Sequence, residues 1–300
     1  MNNIINSLCE KYNIKAVSDC DMSAHTTFKI GGKARFALFP LNTEAFVGAL
    51  ESLTDSGVKF ITVGNGSNLL FSDKGFEGVV VITTQLKGIK TEHNQVYAEA
   101  GAPLTKTAAV ARDASLTGLE FAYGIPGSVG GAIYMNAGAY GGDISQVLVS
   151  CRAYDTTEKK IVTFKNSDCD FSYRNSIFEK GGARYHIIDA TFKLSEGDML
   201  EISSKMDSLM SRRREKQPLE YPSAGSAFKR LDGYFTAKLI DDAGLKGYSV
   251  GGAEVSTKHA GFIINKGGAT AKDVRELCEY IQKVIFEKYG LNIEREIRIV

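Results

Sequence analysis

The stretch FAYGIPGSVGGAIYMNAGAYGG, residues 121–142, constrains the fold of this chain more than any other feature. Seven of its 22 residues are glycine, and no charged residue or histidine lies between Glu120 and Asp143. Glycine loses more conformational freedom on folding than any other residue, so such a cluster is kept where the chain turns tightly or where backbone comes close to something. The stretch therefore predicts either a structural hinge or a cradle of amide N–H groups for an anionic ligand.

The overall composition is that of a globular protein of about two domains. The 300 residues are 43% hydrophobic and 24% charged, and 36 Lys and Arg balance 35 Asp and Glu. A net charge of +1 gives no overall field that would attract nucleic acid or an anionic membrane, so we expect neither as a partner.

The cysteine pattern and the apolar runs exclude several other classes. The five cysteines show no CxxC spacing, which argues against a zinc site and a disulfide framework. No apolar run approaches the roughly 20 residues of a membrane span, and the N-terminus lacks the apolar core of a signal peptide. We expect a cytoplasmic protein with reduced thiols and no metal.

Helical and extended patterns alternate through the first third of the chain, and extended patterns dominate from residue 146 to residue 195. A second domain is expected to begin near residues 206–222. The C-terminal residues 292–300 are expected to form a half-buried strand, because isoleucines alternate there with charged residues. Helical spacing is seen at 43–57, 103–116, 199–216, 234–245 and 271–290, and extended patterns at 59–64, 78–83, 95–104, 146–155, 159–165, 183–194 and 259–265.

The common phosphate-binding and hydrolase motifs are missing. The chain has no GxGxxG and no GxxxxGK[ST], so neither a Rossmann dinucleotide site nor a P-loop is predicted. PGSVG, residues 126–130, approaches the GxSxG of serine hydrolases, but Pro126 replaces the first glycine and we expect no helix after it. A serine hydrolase is therefore disfavoured.

Two separated glycine segments remain as candidates for an anion site. They are VGNGSNLLF at 63–71 and YGIPGSVGGAIYMNAGAYG at 123–141, with Ser67, Asn68, Ser128 and Asn136 as additional hydrogen-bonding side chains. Two such cradles would suit a pyrophosphate. Spacing alone does not distinguish this interpretation from the simpler one, in which the two segments are unrelated tight turns.

Seven segments together resemble the UDP-N-acetylenolpyruvoylglucosamine reductase family, the MurB flavoproteins that complete UDP-N-acetylmuramate for bacterial peptidoglycan. The resemblance covers nearly the whole chain in the order of the family. The segments are TTFKIGGKARF, VGNGSNLLF, GLEFAYGIPGSVGGAIYMNAGAYGG, FSYRNSIF, QPLEYPSAGSAFKR, AKLIDDAGLKGYSVGGAEVSTKHAGFIIN and IEREIRIV.

The resemblance implies an α/β (α+β) fold with a two-lobed FAD-binding domain of the vanillyl-alcohol-oxidase (PCMH) type and a C-terminal α/β substrate-binding domain. The expected limits are 1–84 for the first lobe, with the C-terminal strand 292–300 added to it, 85–205 for the second lobe, and 206–291 for the substrate domain.

The same resemblance implies a reaction in two halves. NADPH gives a hydride to noncovalently bound FAD and leaves. The substrate, UDP-N-acetyl-3-O-(1-carboxyvinyl)-glucosamine, then takes a hydride from flavin N5 at its vinyl C3. Negative charge develops at C2 and the adjacent carboxylate and must be stabilised and then protonated.

Three residues are expected to be catalytic by this resemblance. Ser226 would deliver the proton to C2, and Lys229 is a candidate for polarising its hydroxyl. Arg174 would bind the substrate carboxylate, because its planar fork matches a carboxylate. Glu296 would assist through hydrogen bonding; Glu294 is its main rival, and the spacing from Arg298 favours Glu296.

The resemblance also implies binding residues. The expected substrate contacts are Tyr173, Arg174, Arg214 and Lys229, although Arg214 also fits a solvated helix end. The loop between Arg174 and the next strand is too short for the tyrosine-bearing lid of the longer subtype. The expected FAD contacts are Gly64, Asn65, Gly66, Ser67, Asn68, Gly124, Ile125, Pro126, Gly127, Ser128, Asn136, Gly138 and Ala139.

Two other functions are compatible with parts of the pattern. An oxidase of the same flavoprotein superfamily is one; many of these bind flavin covalently through a histidine beside the first glycine loop, whereas GNGSN has none and the nearest upstream histidine is His25. A noncatalytic nucleotide-binding module is the other. We expect the protein to be a monomer or a weak oligomer.

Overall fold

The structure, a computed structural model, describes all 300 residues and divides the chain into two compact units. Unit 1 comprises residues 1–18, 36–65 and 78–211, and unit 2 comprises residues 19–35, 66–77 and 212–300. No helix is both long enough and apolar enough to cross a membrane. The domain limits expected from the sequence stay a prediction.

The chain contains eight α-helices and four short 3₁₀ turns. The helices are α1 (Asn2–Tyr12), α2 (Thr43–Asp55), α3 (Leu104–Asp113), α4 (Val129–Tyr134), α5 (Ile177–Lys180), α6 (Met199–Lys216), α7 (Thr236–Asp242) and α8 (Ala271–Tyr289). The 3₁₀ turns are Met22–His25, Glu120–Ala122, Ile144–Gln146 and Asn166–Cys169.

Nineteen strands, many of them very short, complete the chain. They are β1 (Lys15–Asp21), β2 (Lys33–Phe39), β3 (Phe60–Val63), β4 (Leu69–Leu70), β5 (Phe76–Ile82), β6 (Ile89–Glu92), β7 (Gln95–Glu99), β8 (Leu116–Thr117), β9 (Gly138–Ala139), β10 (Gly142–Asp143), β11 (Leu148–Asp155), β12 (Lys160–Lys165), β13 (Tyr185–Lys193), β14 (Ser195–Glu196), β15 (Ser223–Ser226), β16 (Ser249–Val250), β17 (Ala253–Val255), β18 (Phe262–Asn265) and β19 (Arg298–Ile299).

Unit 1 is built on two sheets. One has the strand order β1-β2-β5-β3, in which β3 and β5 are parallel, and its residues lie mainly in unit 1. The other is antiparallel, with the order β12-β11-β13-β7-β6. The first sheet and helices α1 and α2 share one hydrophobic cluster, and a second cluster fills the region from Val96 to Met206.

Unit 2 has its own core and sheet. Its sheet is antiparallel and has the strand order β15-β18-β17-β16. The apolar face of helix α8 is buried in the same hydrophobic core as residues of this sheet. Helix α8 begins at the capping box of Thr270 and Asp273, and it ends before Gly290, which adopts the left-handed conformation at φ +69°.

Periodicity predicted most of the longer elements correctly. Helices α2, α3, α6, α7 and α8 and strands β3, β7, β11, β12, β13 and β18 all fall within the predicted segments, and β5 begins two residues before its predicted segment, at Phe76. Pro103, the first residue of the predicted helical segment 103–116, is the N-cap residue before α3. The C-terminal strand was overestimated: only Arg298 and Ile299 form a ladder, while Ile293 and Ile297 are buried and Ile299 is 45% exposed.

Candidate active site

The two glycine segments meet in unit 1. A Cβ added to Gly64 would lie 2.0 Å from the Ser128 hydroxyl oxygen, so bare backbone is required at this contact. The side chain of Asn65 donates a short hydrogen bond to the carbonyl oxygen of Pro126. The sequence could not decide whether the segments were related, and the structure shows that Gly64 and Asn65 lie directly against Pro126 and Ser128.

The segment 127–130 is fixed from behind by residues 100–104. Leu104 N–H donates to Gly127 C=O over 2.9 Å, Val129 N–H to Ala102 C=O over 2.9 Å, and Gly130 N–H to Ala100 C=O over 2.8 Å. A Cβ on Gly130 would lie 3.0 Å from the Cβ of Ala100. The loop is thus held close to a neighbouring backbone and has little freedom to act as a hinge.

The expectation that no helix follows PGSVG was wrong. Helix α4 starts directly after Ser128, whose hydroxyl accepts a hydrogen bond from Gly131 N–H over 3.3 Å. Serine is a preferred N-cap because its oxygen accepts from an otherwise unpaired amide of the first turn. Ser128 is 3% exposed and engaged as this cap, which removes the remaining support for a hydrolase nucleophile.

The end of the glycine stretch forms a tight hairpin. Strands β9 and β10 pair Gly138 with Asp143 and Ala139 with Gly142. The two residues between them, Tyr140 and Gly141, have φ of +54° and +88°, as a type I′ turn requires. A side chain at Gly138 would clash with Asp143 and the Gly142 carbonyl, so this glycine is needed for close strand approach.

Arg174 lies in a second tight turn of unit 1. Ser172 and Asn175 exchange two backbone hydrogen bonds of 3.1 and 3.2 Å, which leaves Tyr173 and Arg174 as the central residues. Arg174 has φ +53°, a conformation that non-glycine side chains rarely adopt, and such strain often marks a functional position. Its Nη2 donates to the Gly138 carbonyl oxygen over 2.9 Å. Its guanidinium carbon lies 5.2 Å from the ring centre of Tyr173, which is 52% exposed.

In unit 2, the first glycine loop contacts the C-terminal segment. Gly66 has φ +60°, and an added Cβ would lie 2.2 Å from the carbonyl oxygen of His25. Asn68 donates from its side chain to the Glu296 carbonyl oxygen over 3.1 Å, and its own carbonyl accepts from Arg298 N–H over 3.0 Å. Ser67 between them is partly buried. The loop therefore helps to fix the backbone on both sides of residue 297.

Ser226 and Glu296 are brought together in unit 2. Glu296 N–H donates to Ala227 C=O over 2.9 Å, so the residue after Ser226 pairs directly with Glu296. Phe228 and Arg295 form the adjoining bridge, and Lys229 N–H donates to Glu294 C=O over 2.9 Å. Two of the three residues predicted to be catalytic thus lie on adjacent chain segments although 70 positions separate them.

The strand that carries Ser226 is bent and firmly anchored. Gly225 has φ +77°, and a register irregularity separates Ser223 from Ser226. Ala227 N–H donates to Gly261 C=O over 2.8 Å, and Gly261 N–H donates to Nδ1 of His259 over 3.1 Å. Burial lowers the pKa of His259, which favours the neutral ring that can accept this hydrogen bond.

Lys229 and Arg214 have other partners in unit 2. The Lys229 ammonium lies 3.1 Å from the Glu294 carboxylate, which is 76% exposed. Glu294 is therefore the ion-pair partner of Lys229, while Glu296 is only partly exposed. Arg214 is exposed in the last turn of α6, and its carbonyl oxygen accepts from Lys258 Nζ over 2.8 Å.

The other expected flavin contacts also lie in unit 1. Gly124 and Ile125 follow the 3₁₀ turn at Glu120–Ala122, and Ile125 packs against the larger core cluster. Ala139 lies in β9 beside Gly138. A surface cavity of about 880 Å³ opens elsewhere in this unit, between residues 93–94, 146–149 and 193–196. No predicted site residue lines this cavity.

Comparisons with known proteins agree with this geometry. Residues 34–164 match the family described as FAD binding domain, and residues 217–300 match UDP-N-acetylenolpyruvoylglucosamine reductase, C-terminal domain. A UDP-N-acetylenolpyruvoylglucosamine reductase of Clostridium novyi is 48% identical over 300 residues, which cover 100% of this chain and 96% of that protein. The chain belongs to the UDP-N-acetylenolpyruvoylglucosamine reductase family.

Other relatives support the same assignment. The reductase of Caldanaerobacter subterraneus is 48% identical over 93% of this chain and 91% of its own. The crystal structure of MurB from Thermus caldophilus aligns with a TM-score of 0.80 and 31% identity, covering 95% of this chain and 98% of that one. An alkyldihydroxyacetonephosphate synthase aligns with a TM-score of 0.50 and 15% identity over 65% of this chain and 44% of that one, a likeness of fold alone.

The predicted fold class is confirmed. The chain has a two-lobed FAD-binding domain of the vanillyl-alcohol-oxidase type and a C-terminal α/β domain of the MurB family. The individual site residues stay predictions. The sequence interpretation passed over Ser172 and Ser176, which flank the turn of Arg174, because nothing in their local pattern distinguishes them from other turn serines.

Proposed function

We propose that this chain reduces the enolpyruvyl group of UDP-N-acetyl-3-O-(1-carboxyvinyl)-glucosamine to give UDP-N-acetylmuramate, with NADPH as the source of the hydride. This is the step of peptidoglycan precursor synthesis after which its family is named. The single observation that carries the proposal is the hydrogen bond from Glu296 N–H to Ala227 C=O, because it places the expected proton donor and the expected assisting carboxyl on paired segments.

The residues of the two glycine segments fit FAD. FAD, when bound, supplies the redox centre that accepts a hydride from NADPH and passes one to the substrate. The contact of Gly64 with Ser128 leaves bare, uncharged backbone there, as a diphosphate bound by amide N–H groups would need. The residues that would hold FAD are Gly64, Asn65, Gly66, Ser67, Asn68, Gly124, Ile125, Pro126, Gly127, Ser128, Gly138 and Ala139.

Arg174 would bind the substrate carboxylate. A guanidinium presents N–H groups in a planar fork that matches two carboxylate oxygens and keeps its charge at every working pH. The turn at residues 172–175 and the bond from Nη2 to Gly138 C=O restrict where this fork can lie. Tyr173, Arg214 and Lys229 are proposed as further substrate contacts.

Ser226 would deliver the proton to C2, and Glu296 would stabilise the charge that develops beside it. A serine hydroxyl is a weak acid, so a neighbour must polarise it or bind its conjugate base. The Lys229 ammonium is three residues beyond Ser226 in the chain and forms an ion pair with Glu294 on the neighbouring C-terminal segment. We propose that Lys229 acts on Ser226 through its field and that Glu296 acts through hydrogen bonding.

The remaining expectations belong to the same proposal. The protein would act in the cytoplasm as a monomer or a weak oligomer, with no nucleic acid or membrane partner. The first FAD-binding lobe would comprise residues 1–84 and 292–300, the second lobe residues 85–205, and the substrate domain residues 206–291.

The decisive experiment is an anaerobic absorbance titration of the purified protein. We expect a flavin spectrum that bleaches on addition of NADPH and recovers on addition of the enolpyruvyl sugar nucleotide. A protein without flavin and without affinity for FAD would refute the proposal. Bleaching by NADPH without recovery on the sugar nucleotide would favour an oxidase of the same superfamily.

A further inference from the structure

The middle of the glycine stretch is bonded to the turn that carries Arg174. Three hydrogen bonds join them, and they involve every second residue of the glycine stretch, at positions 134, 136 and 138. Ser176 Oγ donates to Tyr134 C=O over 2.7 Å, Asn136 Nδ2 donates to Ser172 C=O over 3.1 Å, and Arg174 Nη2 donates to Gly138 C=O over 2.9 Å. Residues 134–138 therefore run along one side of the turn at residues 172–175.

Asn136 reaches the turn with its side-chain amide. It is 4% exposed, and both ends of its amide are engaged: Oδ1 accepts from Ser145 N–H over 3.0 Å while Nδ2 holds Ser172. Its φ is +42°, and asparagine tolerates this left-handed conformation better than most residues. Geometry and hydrogen bonding both account for asparagine at this position without a ligand.

The turn needs such support. Arg174 has φ +53°, and a residue in this region persists only when its surroundings fix it there. Ser172 supplies both backbone hydrogen bonds that close the turn, and its carbonyl also accepts the amide of Asn136. Loss of this amide would free one end of the turn while the other end stays bonded through Ser176.

We propose that Asn136 is a positioning residue for Arg174 and does not serve mainly as a flavin contact. It would act through Ser172 and touch neither substrate nor reacting atoms. The inference rests on the proposed function, in which Arg174 binds the substrate carboxylate. A displaced guanidinium should slow the substrate half of the reaction on the order of tenfold to a hundredfold, whereas flavin binding and reduction by NADPH should stay unchanged.

The test uses two variants of Asn136 and one matched control. Asn136→Gly keeps the left-handed backbone and removes the amide, and Asn136→Asp keeps an acceptor for Ser145 but loses the donor to Ser172. Asn13→Gly is the control, because Asn13 is an exposed asparagine at φ +52° that ends helix α1. Flavin content, the rate of flavin reduction by NADPH, and the KM and kcat of the substrate half-reaction are measured for each.

We expect both Asn136 variants to retain flavin and its reduction, to raise the KM for the sugar nucleotide and to lower kcat for its reduction, while Asn13→Gly behaves as wild type. Loss of flavin with proportional damage to both half-reactions would overturn the inference and make Asn136 a flavin contact. Normal kinetics of the substrate half-reaction in Asn136→Gly would also overturn it.

Hydrogen exchange separates this inference from the proposed function. The amides of Ser172–Ser176 should exchange at least about tenfold faster in Asn136→Gly than in wild type, whether or not the enzyme turns over. Unchanged exchange there would refute the positioning role. If instead wild type fails to reduce the sugar nucleotide, the proposed function fails. If Arg174→Lys reduces it normally, only the proposed role of Arg174 fails. In both cases hydrogen exchange still tests whether Asn136 supports the turn.

Discussion

Among the single residues, Ser226 is the one whose replacement should separate the two halves of the reaction most clearly. Ser226→Ala removes the proposed proton donor but no backbone group of the pairing between β15 and β18. We expect flavin content and reduction by NADPH to stay at wild-type values, and the substrate half-reaction to slow roughly a hundredfold to ten-thousandfold, the usual contribution of a general acid. Stopped-flow absorbance of the flavin measures both steps.

Ser223→Ala is the matched control for this variant, because Ser223 lies on the same strand. It should leave both half-reactions unchanged. Equal slowing of the two halves in Ser226→Ala would show that the serine supports the site generally and does not donate the proton.

Asn136 and Ser128 show at the residue scale why side-chain type alone does not reveal a role. Both stand in a glycine-rich stretch and both were expected to contact flavin. In the structure, the Ser128 hydroxyl caps the N-terminus of α4. The Asn136 side-chain amide accepts a hydrogen bond from Ser145 and donates one to Ser172. A hydroxyl that caps a helix keeps a second lone pair and its proton for a ligand, whereas the buried Asn136 amide already uses both its oxygen and its nitrogen in hydrogen bonds.

At the scale of elements, the contact between the two glycine segments gives a steric prediction. Gly64→Ala would place a Cβ 2.0 Å from Ser128 Oγ and 2.9 Å from its Cβ, so the N-cap of α4 must move. We expect FAD affinity to fall at least about tenfold, with a loss of roughly 1–3 kcal/mol in the free energy of unfolding, as for other overpacked sites. FAD titration and denaturant unfolding measure the two effects.

Gly131→Ala is the control for this substitution. Its added Cβ would meet Ser128 Oγ at 3.4 Å, an ordinary contact, and alanine is the better helix former. It should bind FAD normally. Combining Gly64→Ala with Ser128→Gly removes both clashing atoms and should recover stability; a double variant as unstable as Gly64→Ala would argue against the steric explanation.

Helix α8 offers a second prediction at this scale. Asp73 accepts hydrogen bonds from Ala271 N–H over 2.7 Å and from Lys272 N–H over 2.9 Å, so a distant carboxylate satisfies the first turn of the helix. Asp73→Ala should lower the free energy of unfolding by about 1–2 kcal/mol, the usual cost of a lost cap. Urea denaturation followed by circular dichroism measures it.

Asp73→Asn, which keeps an acceptor oxygen, should lose less than Asp73→Ala. Asp232→Ala changes an exposed aspartate in the turn closed by Leu231 and Tyr234 and should have almost no effect. Equal losses in the alanine variants of Asp73 and Asp232 would mean that the cap contributes nothing measurable.

At the scale of the whole molecule, acid should destabilise the protein through a buried histidine. Burial lowers the pKa of His186 to about 4, and the ring stacks on Phe60 at 4.8 Å and lies 3.1 Å from Thr62 Oγ1. In the unfolded chain this histidine binds a proton as the pH falls below about 6.5, whereas in the folded protein it stays neutral until about pH 4. The contribution of the neutral, buried His186 to stability is therefore complete above pH 6.5 and is lost as the pH falls towards 4.

The size of this effect is roughly 2 kcal/mol between pH 6.5 and pH 5, at about 1.4 kcal/mol for each pH unit. Denaturant unfolding of wild type and His186→Phe across this range measures it, and the variant should lose this part of the slope. His93→Asn, at an exposed histidine with φ +49°, should keep the wild-type slope. A wild-type slope in His186→Phe would assign the acid sensitivity to other groups.

Much of the fold was predictable because its longer elements carry local signals. Helices α2, α6 and α8 show apolar residues at helical spacing, and strands β12 and β13 of the antiparallel sheet in unit 1 carry β-branched and aromatic residues. Short elements were not predictable. Helix α4 is a six-residue helix in a glycine-rich sequence, and strand β19 is a ladder of two residues, so both depend on partners distant in the chain.

The sequence by itself determined the chemistry available to this protein: near-neutral charge, bare glycine segments, and the motifs that carry Arg174, Ser226 and Glu296 and indicate the family. Only the tertiary structure decided which of these meet. It set Gly64 against Ser128, Ala227 against Glu296, and Asn136 against a carbonyl 36 residues away. Such pairings are formed between segments far apart in the chain, so their hydrogen bonds are stable only where the packing of the whole unit has already brought the backbones together.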